Sequence, residues 1–383
     1  MKVLVFDDEK VRAELLPLTY TRPVGALRVG ITSIAEKWQA LLPGDYGWLA
    51  GTDWLREIFP GEADTDALCV AGHVLPDRPL VEAVKALGDN QALVAGDVTV
   101  AYRGDASEAV AYDAPVCAVR QLYDIFMLNG LALEADFRLL TFGRTSESVN
   151  STNTVIGDPD LIFIEEGAHV NGAFLNTHAG PIYVGRDAEI MEGSMLRGPI
   201  ALCEHAVVNM GSKLYGATTL GPWCKVGGEL NNVVMQAYSN KAHDGFLGNA
   251  VIGEWCNLGA GCVASNLKND YTPIRLWNYP TGRFLRTNLQ FCGLIMGDHS
   301  KAGINTMFNT ATVLGVGVNI HGSGFPRNFV PSFSEGSTAG FSEVSMTKFF
   351  DIAARMMARR HVELTDADRR MFYAIREAAE AFK

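Results

Sequence analysis

The sequence predicts an α/β domain followed by a parallel β-helix, with helices after it. Three observations support this prediction. Short apolar runs alternate with amphipathic stretches from residue 1 to about residue 143. Aliphatic residues recur at every sixth position through the middle of the chain, and helical periodicity returns after residue 344. A chain of 383 residues exceeds what one core normally needs, so we expect two domains.

The first domain is predicted over residues 1–143. Its buried strands are the runs VLVF at 3–6, ALCVAG at 67–72 and QALVAG at 91–96, and its helices are VGITSIAEKWQALL and RPLVEAVKALG. Alternation of buried strands with amphipathic helices is typical of a mainly parallel sheet. A helix over 123–140 closes this domain, and the polar residues 144–153 are predicted to be a linker.

A period of six defines the second domain, over residues 154–344. Its first run is aliphatic throughout and comprises Val184, Ile190, Leu196, Leu202, Val208, Leu214, Leu220 and Val226. A second run, in another frame, comprises Met296, Ala302, Phe308, Leu314 and Ile320. Each short strand then sends one apolar side chain inward before a turn, and three strands close one coil. A β-sandwich would alternate with period two, so a β-helix is favoured.

Two further segments follow from the same pattern. Residues 266–291 interrupt the coils with four basic residues among aromatic ones, and they form either a solvated loop or a lid or phosphate-binding arm. Residues 345–383 are predicted to be helical, with Thr365 or Asp366 as the cap of the second helix. Their apolar positions are expected to cover the end of the β-helix or a neighbouring subunit.

Composition disfavours several classes of partner. A net charge of -11 and a pI near 5.2 argue against nucleic acid or an anionic membrane. Seven cysteines without a C-x-x-C pair indicate reduced thiols, and the histidines of the second domain lack the close pair that a three-histidine zinc site needs. The opening MKVLVFDDEK has too short an apolar run for a signal peptide, and no later run reaches membrane-spanning length. We therefore expect a soluble cytoplasmic protein.

Several motifs carry a family resemblance. The motif LLPLTYTRP at 15–23 and the runs TYTRPVGALRVGITSIAEKW, SNKAHDGFLGNAVIGEWCNLGAG and NLQFCGLIMGDHSKAGINTMFNT are the residues concerned. They resemble the bifunctional N-acetylglucosamine-1-phosphate uridylyltransferase and glucosamine-1-phosphate acetyltransferase family, and most closely a bacterial group of sugar nucleotidyltransferases of that type. The resemblance implies a nucleotidyltransferase-like, Rossmann-like first domain, a left-handed β-helix and a homotrimer.

The resemblance also implies an acyl-transfer site on the β-helix. His243 matches the family's base, Asn257 and Asn266 match two asparagines fourteen and twenty-three positions later, and Glu229 matches a sugar-binding glutamate fourteen positions earlier. An imidazole can take a proton from a sugar ammonium or hydroxyl as that group attacks an acyl-CoA thioester, for example acetyl-CoA. The alternative is a surface histidine without chemistry.

This sequence departs from the family at two polar contact positions. Phe246 stands where the family has a tyrosine, and Asn231 stands where it has a lysine. The loss of these two polar contacts implies a different acyl acceptor from that of the family. Lys213 falls at the family's phosphate-binding arginine by ungapped counting, although alignment on Val226 and Gly227 shifts that register by two.

The first domain departs further from the family. A glycine-rich loop normally follows the first strand, because backbone amides must face the triphosphate. Here DDEKVRAELLPLT stands in its place, with no glycine before Val24. Arg22 matches the family's phosphate-contacting lysine, and Arg28 and Lys37 are further candidates for binding phosphate.

The family's magnesium site is also altered. Gly72 and His73 stand where the family has Gly-Asp, so Mg²⁺ is expected only if this domain is active, with Asp7, Asp8 or Asp97 as substitute ligands. The acids at 7–9 would repel a bare triphosphate, so we expect weak or absent pyrophosphorylase turnover with Arg22 as the most important residue for any that is found.

Three functions remain open at this point. Acyl transfer from acyl-CoA to an amino- or hydroxy-sugar phosphate is the best supported by the four matches on the β-helix. Sugar-1-phosphate nucleotidyl transfer from a nucleoside triphosphate is the second. The third is a non-catalytic assembly that binds a sugar nucleotide through a degenerate nucleotidyltransferase domain.

Overall fold

The strand Lys2–Phe6 lies inside a six-stranded sheet, in the first of the two units that make up the computed structural model. The structure describes residues 1–62 and 64–383. The strand order is Asp45–Leu49, Lys2–Phe6, Leu68–Ala71, Val98–Arg103, Gln91–Ala95, Glu108–Ala111. Lys2–Phe6 runs parallel to both of its neighbours in the sheet, whereas Val98–Arg103 runs antiparallel to both of its neighbours. This mixed sheet confirms the α/β prediction.

Helices cover this sheet, and capping side chains fix where they begin. The helices are Glu9–Glu14, Ile34–Leu41, Asp53–Arg56 and Arg78–Lys85, with a 3₁₀ turn at Val24–Ala26, and the short strands Val74–Leu75 and Cys117–Ala118 form a separate pair. Ser33 and Glu36 form a capping box at the start of Ile34–Leu41. Trp38 in that helix is fully buried, and its indole donates to the Val74 carbonyl at 3.1 Å.

The second unit is a left-handed parallel β-helix with three faces. The first face contains Thr154–Ile156, Phe174–Asn176, Met195–Arg197, Lys213–Tyr215, Val263–Ala264 and Met307–Phe308. The second face contains Ile162–Ile164, Ile182–Val184, Ile200–Leu202, Thr218–Leu220, Ile295–Met296, Val313–Leu314 and Phe329–Val330. Two longer strands, Glu229–Ala237 and Phe246–Glu254, run from the first face into the second.

The third face carries the remaining strands of the β-helix. These are His169–Val170, Glu189–Ile190, Val207–Val208, Lys225–Val226, Asn240–Lys241, Asn257–Leu258, Lys301–Ala302, Asn319–Ile320 and Ser334–Ser337, closed by the antiparallel strand Gly340–Glu343. All positions of both six-residue periods are buried in one continuous apolar core. Each buried aliphatic side chain contributes roughly 1.5–3 kcal/mol relative to an exposed one. The period of six therefore predicted the interior of the β-helix correctly.

One interior position of the third face holds a lysine. Lys241 is paired in register with Val226 and is 1 % exposed, whereas the other interior positions of this face are apolar or glycine. Its ammonium nitrogen donates to the carbonyl of Gly227 at 3.2 Å and to that of His243 at 2.6 Å. The six-residue period ends at Val226, which is the interior position of the third face one coil before this lysine.

Segments outside the coils also match their predicted type. The interruption at 266–291 contains an antiparallel hairpin of Arg275–Asn278 and Arg283–Arg286, and Trp277 in it stacks on Phe329 with ring centroids 4.0 Å apart. Helices Met346–Ala358 and Asp366–Ala379 follow the β-helix. One 3₁₀ turn, Pro159–Leu161, precedes the first strand of the second face, and another lies at Glu380–Phe382. Thr365 caps the second helix, because its hydroxyl accepts from the Asp368 amide at 3.2 Å.

The division into units differs from the boundary at residue 143. The first unit comprises Met1–Leu27, Thr32–Asp124 and Thr365–Ile375, and the second comprises Arg28–Ile31, Ile125–Leu364 and Arg376–Lys383. The helix Asp124–Thr141 joins the second unit because Leu133 and Phe137 share an apolar cluster with Phe163 and Tyr183.

Among the described residues, no helix is long and apolar enough to cross a membrane.

The β-helix interior offers a matched pair of substitutions. We expect Leu196→Ala to lower the free energy of unfolding by about 2–5 kcal/mol, because Leu196 is 1 % exposed and leaves a cavity in a closed coil. Arg197→Ala, at the exposed next position of the same strand, should change it by less than about 0.5 kcal/mol. Urea unfolding of both variants checks this, and equal effects would contradict the inward assignment.

Lys241 gives a second prediction, on pH. Burial lowers the pKa of Lys241 to about 8 from its ordinary 10.5, partly offset by Cys262 and Asp244. At this site the unfolded chain therefore binds more protons between pH 8 and 10.5, so the contribution of Lys241 to stability rises with pH in this window. Relative to Lys241→Met, wild type should gain on the order of 2 kcal/mol between pH 7 and pH 10.

Urea unfolding of the two proteins at both pH values measures this gain, because other titrating groups cancel in the difference. Leu258→Met, at the next interior position, serves as the control that should show no such change. A loss of relative wild-type stability over the same pH interval would show that the lysine is not destabilised by its burial.

Candidate functional site

His243 lies at a corner between the third face and the first. This corner, Ala242–Gly245, connects Asn240–Lys241 to Phe246–Glu254, and the His243 side chain is exposed there. We refer to these four residues as the His243 corner. Exposure and a position between two strands leave the imidazole accessible to a substrate.

The preceding coil turns at the same place with fewer residues. Only Gly227 and Gly228 connect Lys225–Val226 to Glu229–Ala237, and we call this pair the short corner. A Cβ on Gly227 would lie 2.4 Å from the Ala242 carbonyl oxygen, and Gly228 has a φ of +77°. Glycine is therefore required at both positions, and the chain beside His243 is two residues shorter than at the corners on either side.

Glu229 follows the short corner directly and is held by a tyrosine. The Tyr215 hydroxyl, from the strand one coil earlier, donates to the Glu229 carboxylate at 2.6 Å. This hydrogen bond is the main cause that raises the pKa of Tyr215 to about 12. Sequence reasoning did not identify Tyr215, although the alternation in Lys213–Tyr215 already placed it outward on the same face as Lys213.

Three predicted site residues form one column on the first face. Glu229 is paired in register with Lys213 on one side and with Phe246 on the other, at a strand spacing of about 4.8 Å. Lys213 is exposed, and it forms no ion pair with any residue that the structure describes. The register therefore brings a carboxylate, an ammonium group and an aromatic ring together within three coils.

Asn266 lies beside this column because Gly248 has no side chain. A Cβ on Gly248 would lie 2.6 Å from the amide nitrogen of Asn266 and 2.6 Å from the Phe246 ring. Both groups therefore approach the space that the missing side chain leaves. The Asn266 amide donates to the Asn249 side chain at 2.8 Å, which fixes its orientation.

Asn257 lies on a different face from these residues. It is paired in register with Asn240 and Lys301 on the third face, outside the column that contains Glu229 and Phe246. Of the predicted site residues, Lys213, Phe246 and Asn266 are thus the ones that lie near Glu229 on the first face. The binding roles of all of them, and of Asn257, remain predictions.

In the first unit, acidic side chains occupy the backbone amides after the first strand. The Asp7 carboxylate accepts from the amides of Val24 at 2.8 Å and Gly51 at 3.1 Å. Burial raises the pKa of Asp7, while these amides and Arg12 act in the opposite direction. Asp8 accepts from two amides at the start of helix Glu9–Glu14. Carboxylates at the end of the first strand therefore accept hydrogen bonds from four backbone amides around them.

The predicted phosphate-binding residues do not lie in one unit. Arg22 is buried in the first unit, and Lys37 is buried there as well, with its ammonium donating to the Thr32 carbonyl at 3.1 Å. Arg28 belongs to the second unit, where its backbone amide donates to the Gln236 side chain at 2.7 Å and its guanidinium to the Ile31 carbonyl. A phosphate-binding role for these three residues stays a prediction.

The residues near the family's magnesium position do not fit Mg²⁺. His73 is 2 % exposed, and burial lowers its pKa to about 4, so it is a neutral imidazole. Asp97 is ion-paired with Arg120 at 2.5 Å. Within residues 1–62 and 64–383, no three His, Cys, Asp or Glu side chains come together as a metal site. Magnesium prefers free carboxylate oxygens, which this arrangement does not offer.

A cavity elsewhere in the second unit contains none of the predicted site residues. Its volume is about 640 Å³, and it lies between the helix residues Phe137 and Arg138, with Phe142 just after that helix, and the segment His178–Pro181. The arginines of the hairpin at 275–286 are exposed as well. Their role as a lid or phosphate-binding arm stays a prediction.

Comparison with known proteins matches the first part of the chain to a family. Residues 3–145 match the model described as "Sugar nucleotidyl transferase". The "Bifunctional protein GlmU" of Synechococcus elongatus is 24% identical over 238 residues, covering 56% of this chain and 48% of the relative. A "Bifunctional sugar-1-phosphate nucleotidylyltransferase/acetyltransferase" of Sulfurisphaera tokodaii is 26% identical over 144 residues, covering 37% and 35%. The matches thus span less than half of each relative.

Among solved structures, an Arabidopsis UDP-N-acetylglucosamine acyltransferase aligns at 11% identity. The alignment covers 56% of this chain and 80% of that chain, with a TM-score of 0.25. The first part of this chain is therefore similar to sugar nucleotidyl transferases, and the curated relatives that match it are bifunctional proteins of the GlmU type.

Proposed function

We propose that the β-helix transfers an acyl group from acyl-CoA to an amino- or hydroxy-sugar phosphate at the His243 corner. The observation that carries this proposal is the column of Lys213, Glu229 and Phe246, which ends at the strand that begins directly after the His243 corner. Glu229 in this column is fixed by the Tyr215 hydroxyl. A base, an anchored carboxylate and an unpaired cation therefore lie on neighbouring coils.

The residues divide the reaction between them. The His243 imidazole takes the proton from the acceptor amine or hydroxyl as the acceptor's nitrogen or oxygen bonds to the thioester carbonyl carbon. The carbon–sulfur bond then breaks, and the CoA thiolate leaves and takes up a proton. Glu229 accepts a hydrogen bond from the acceptor and orients it, because Tyr215 holds the carboxylate in place.

The acceptor is an anion with an apolar side. Lys213 provides an exposed positive charge for a phosphate at one end of the column, and the Phe246 ring offers an apolar surface at the other. Asn266 and Asn257 supply neutral hydrogen bonds for the sugar and for the acyl donor. The phenyl ring in place of a tyrosine supports an acceptor with one polar group fewer on that side.

Assembly as a homotrimer accompanies this proposal. Phe174, Met195 and Val263 point outward from the first face and are between 36% and 52% exposed. Exposed apolar side chains on a flat β-helix face suit packing between subunits in a symmetric oligomer.

A second proposal concerns the first unit, which we infer binds a sugar nucleotide without transferring a nucleotide. Its support is the use of Asp7, Asp8 and Asp97 in internal hydrogen bonds and an ion pair, together with neutral His73. In-line transfer to the α-phosphorus needs a metal and basic groups to neutralise pyrophosphate as it leaves.

Acyl transfer is tested by release of free CoA thiol in the presence of acetyl-CoA and a panel of sugar-1-phosphates. We expect His243→Gln to lower kcat/KM by ~10²–10⁴, because the general base is lost. Tyr215→Phe should lower it by about 10- to 100-fold, since a hydrogen bond to a charged group contributes about 1.5–3 kcal/mol.

His321→Gln is the matched control, because His321 is exposed directly after the strand Asn319–Ile320 on the same face. It should retain wild-type kcat/KM. The proposal fails if the His321 and His243 variants lose the same activity, or if the wild-type chain acylates no sugar phosphate in the panel.

The first unit is tested by calorimetric titration with sugar nucleotides and by pyrophosphate release from each nucleoside triphosphate. We expect the same Kd with magnesium and with EDTA, and turnover far below the typical enzyme value of about 10 per second. Arg22→Ala should abolish any residual release, whereas the exposed Arg56→Ala should not. Magnesium-dependent release at an ordinary enzyme rate would overturn this proposal.

A further inference from the structure

We propose that Lys241 and Asn209 are positioning residues that hold the His243 corner in the geometry needed for acyl transfer. This inference rests on the function proposed above. Neither residue contacts the substrate, and both act through backbone carbonyls of the His243 corner. The short corner makes them necessary, because two glycines cannot support the next coil with side chains of their own.

Lys241 supports the corner from inside the coil. Its side chain occupies an interior position of the third face, where its neighbours in register are Val226 and, on the next coil, Leu258. From there, the ammonium donates to the carbonyl of Gly227 in the short corner and to that of His243. One buried cation thereby connects both corners, and the second of these hydrogen bonds, at 2.6 Å, is short.

An aliphatic residue could fill the same interior space without making these bonds. The lysine is nearly fully buried, which is unfavourable for a charge unless hydrogen bonds compensate. Asp244, in the His243 corner itself, and the Cys262 thiol are the ionisable groups that interact with it electrostatically. A residue with this cost at an aliphatic position indicates a role other than core packing.

Asn209 supports the corner from the coil before the short corner. Its side-chain amide donates to the Ala242 carbonyl at 2.6 Å, and this bond passes the intervening Gly227. It can do so because Gly227 has no side chain: a Cβ there would lie 2.4 Å from the same carbonyl oxygen. The first two carbonyls of the His243 corner therefore both accept hydrogen bonds from side chains.

Fixing these carbonyls fixes the direction of the His243 side chain. The peptide planes on either side of His243 contain the carbonyls of Ala242 and His243, so two anchored planes determine where its Cβ points. A displacement of about 1 Å between a base and its substrate can cost 10²-fold in rate. The predicted consequence of losing either bond is thus a change in catalytic rate rather than in substrate binding.

The first arm of the test needs no activity. Backbone amide exchange is measured by mass spectrometry on peptides covering residues 242–246 in wild type, Lys241→Met and Asn209→Ala. We expect exchange at least about 10-fold faster in both variants, the factor that corresponds to about 1.4 kcal/mol. Leu258→Met, at the next interior position, is the control and should exchange as wild type. Unchanged exchange in both variants overturns the inference.

The second arm separates positioning from folding. In the CoA-release assay, kcat of Lys241→Met and Asn209→Ala should fall by about 10- to 100-fold, with KM for acetyl-CoA and for the sugar phosphate within about twofold of wild type. Faster exchange with unchanged kcat would show a merely structural role and overturn the inference. If wild type transfers no acyl group, the proposed function fails by itself, while the exchange arm still decides whether these side chains hold the corner.

Discussion

A β-helix stays regular only while each corner uses nearly the same number of residues, and the short corner at Gly227 and Gly228 breaks this constraint. The corners on either side, Asn209–Ser212 and Ala242–Gly245, each have four residues. Losing two between them brings Glu229 close behind the turn and leaves the His243 corner without side-chain support from the coil before it. The buried lysine and the long-reaching asparagine compensate for that loss. The candidate chemistry is therefore located beside a shortened corner of the β-helix.

The first unit keeps a regular sheet, but the acidic side chains at the ends of its strands are already hydrogen-bonded or ion-paired. Its sheet keeps the parallel arrangement of Lys2–Phe6 with both neighbours, and such sheets bind ligands beyond the carboxyl ends of their strands. At those ends, however, Asp7 and Asp8 accept hydrogen bonds from backbone amides, and Asp97 is paired with Arg120. These carboxylates are therefore already held by partners within the fold. A binding function without transfer is consistent with this use of the acids.

Much of the fold could be predicted from the sequence because its repeats are local. The aliphatic residues from Val184 to Val226 are all interior, since a period of six fixes the direction of each side chain without any knowledge of distant contacts. The candidate site was less predictable. Tyr215 and Lys241 act through contacts between coils, and no spacing rule tells which coil will be shortened. The end of the period at Val226, followed by two glycines, was the available signal. The helix Asp124–Thr141 could not be assigned to its unit, because its apolar face is satisfied by either a sheet or a β-helix.

The central claim is that the shortened coil of the β-helix, and not the first unit, carries the chemistry. The most direct measurement is a thermal-shift comparison of the intact chain with acetyl-CoA, with sugar-1-phosphates, and with nucleoside triphosphates in magnesium or EDTA. A ligand at a hundredfold excess over Kd stabilises the folded state by about 2.7 kcal/mol. We expect a rise in Tm with acetyl-CoA and no effect of magnesium on any shift that a triphosphate produces. A large magnesium-dependent shift with a triphosphate, and none with acetyl-CoA, would contradict it.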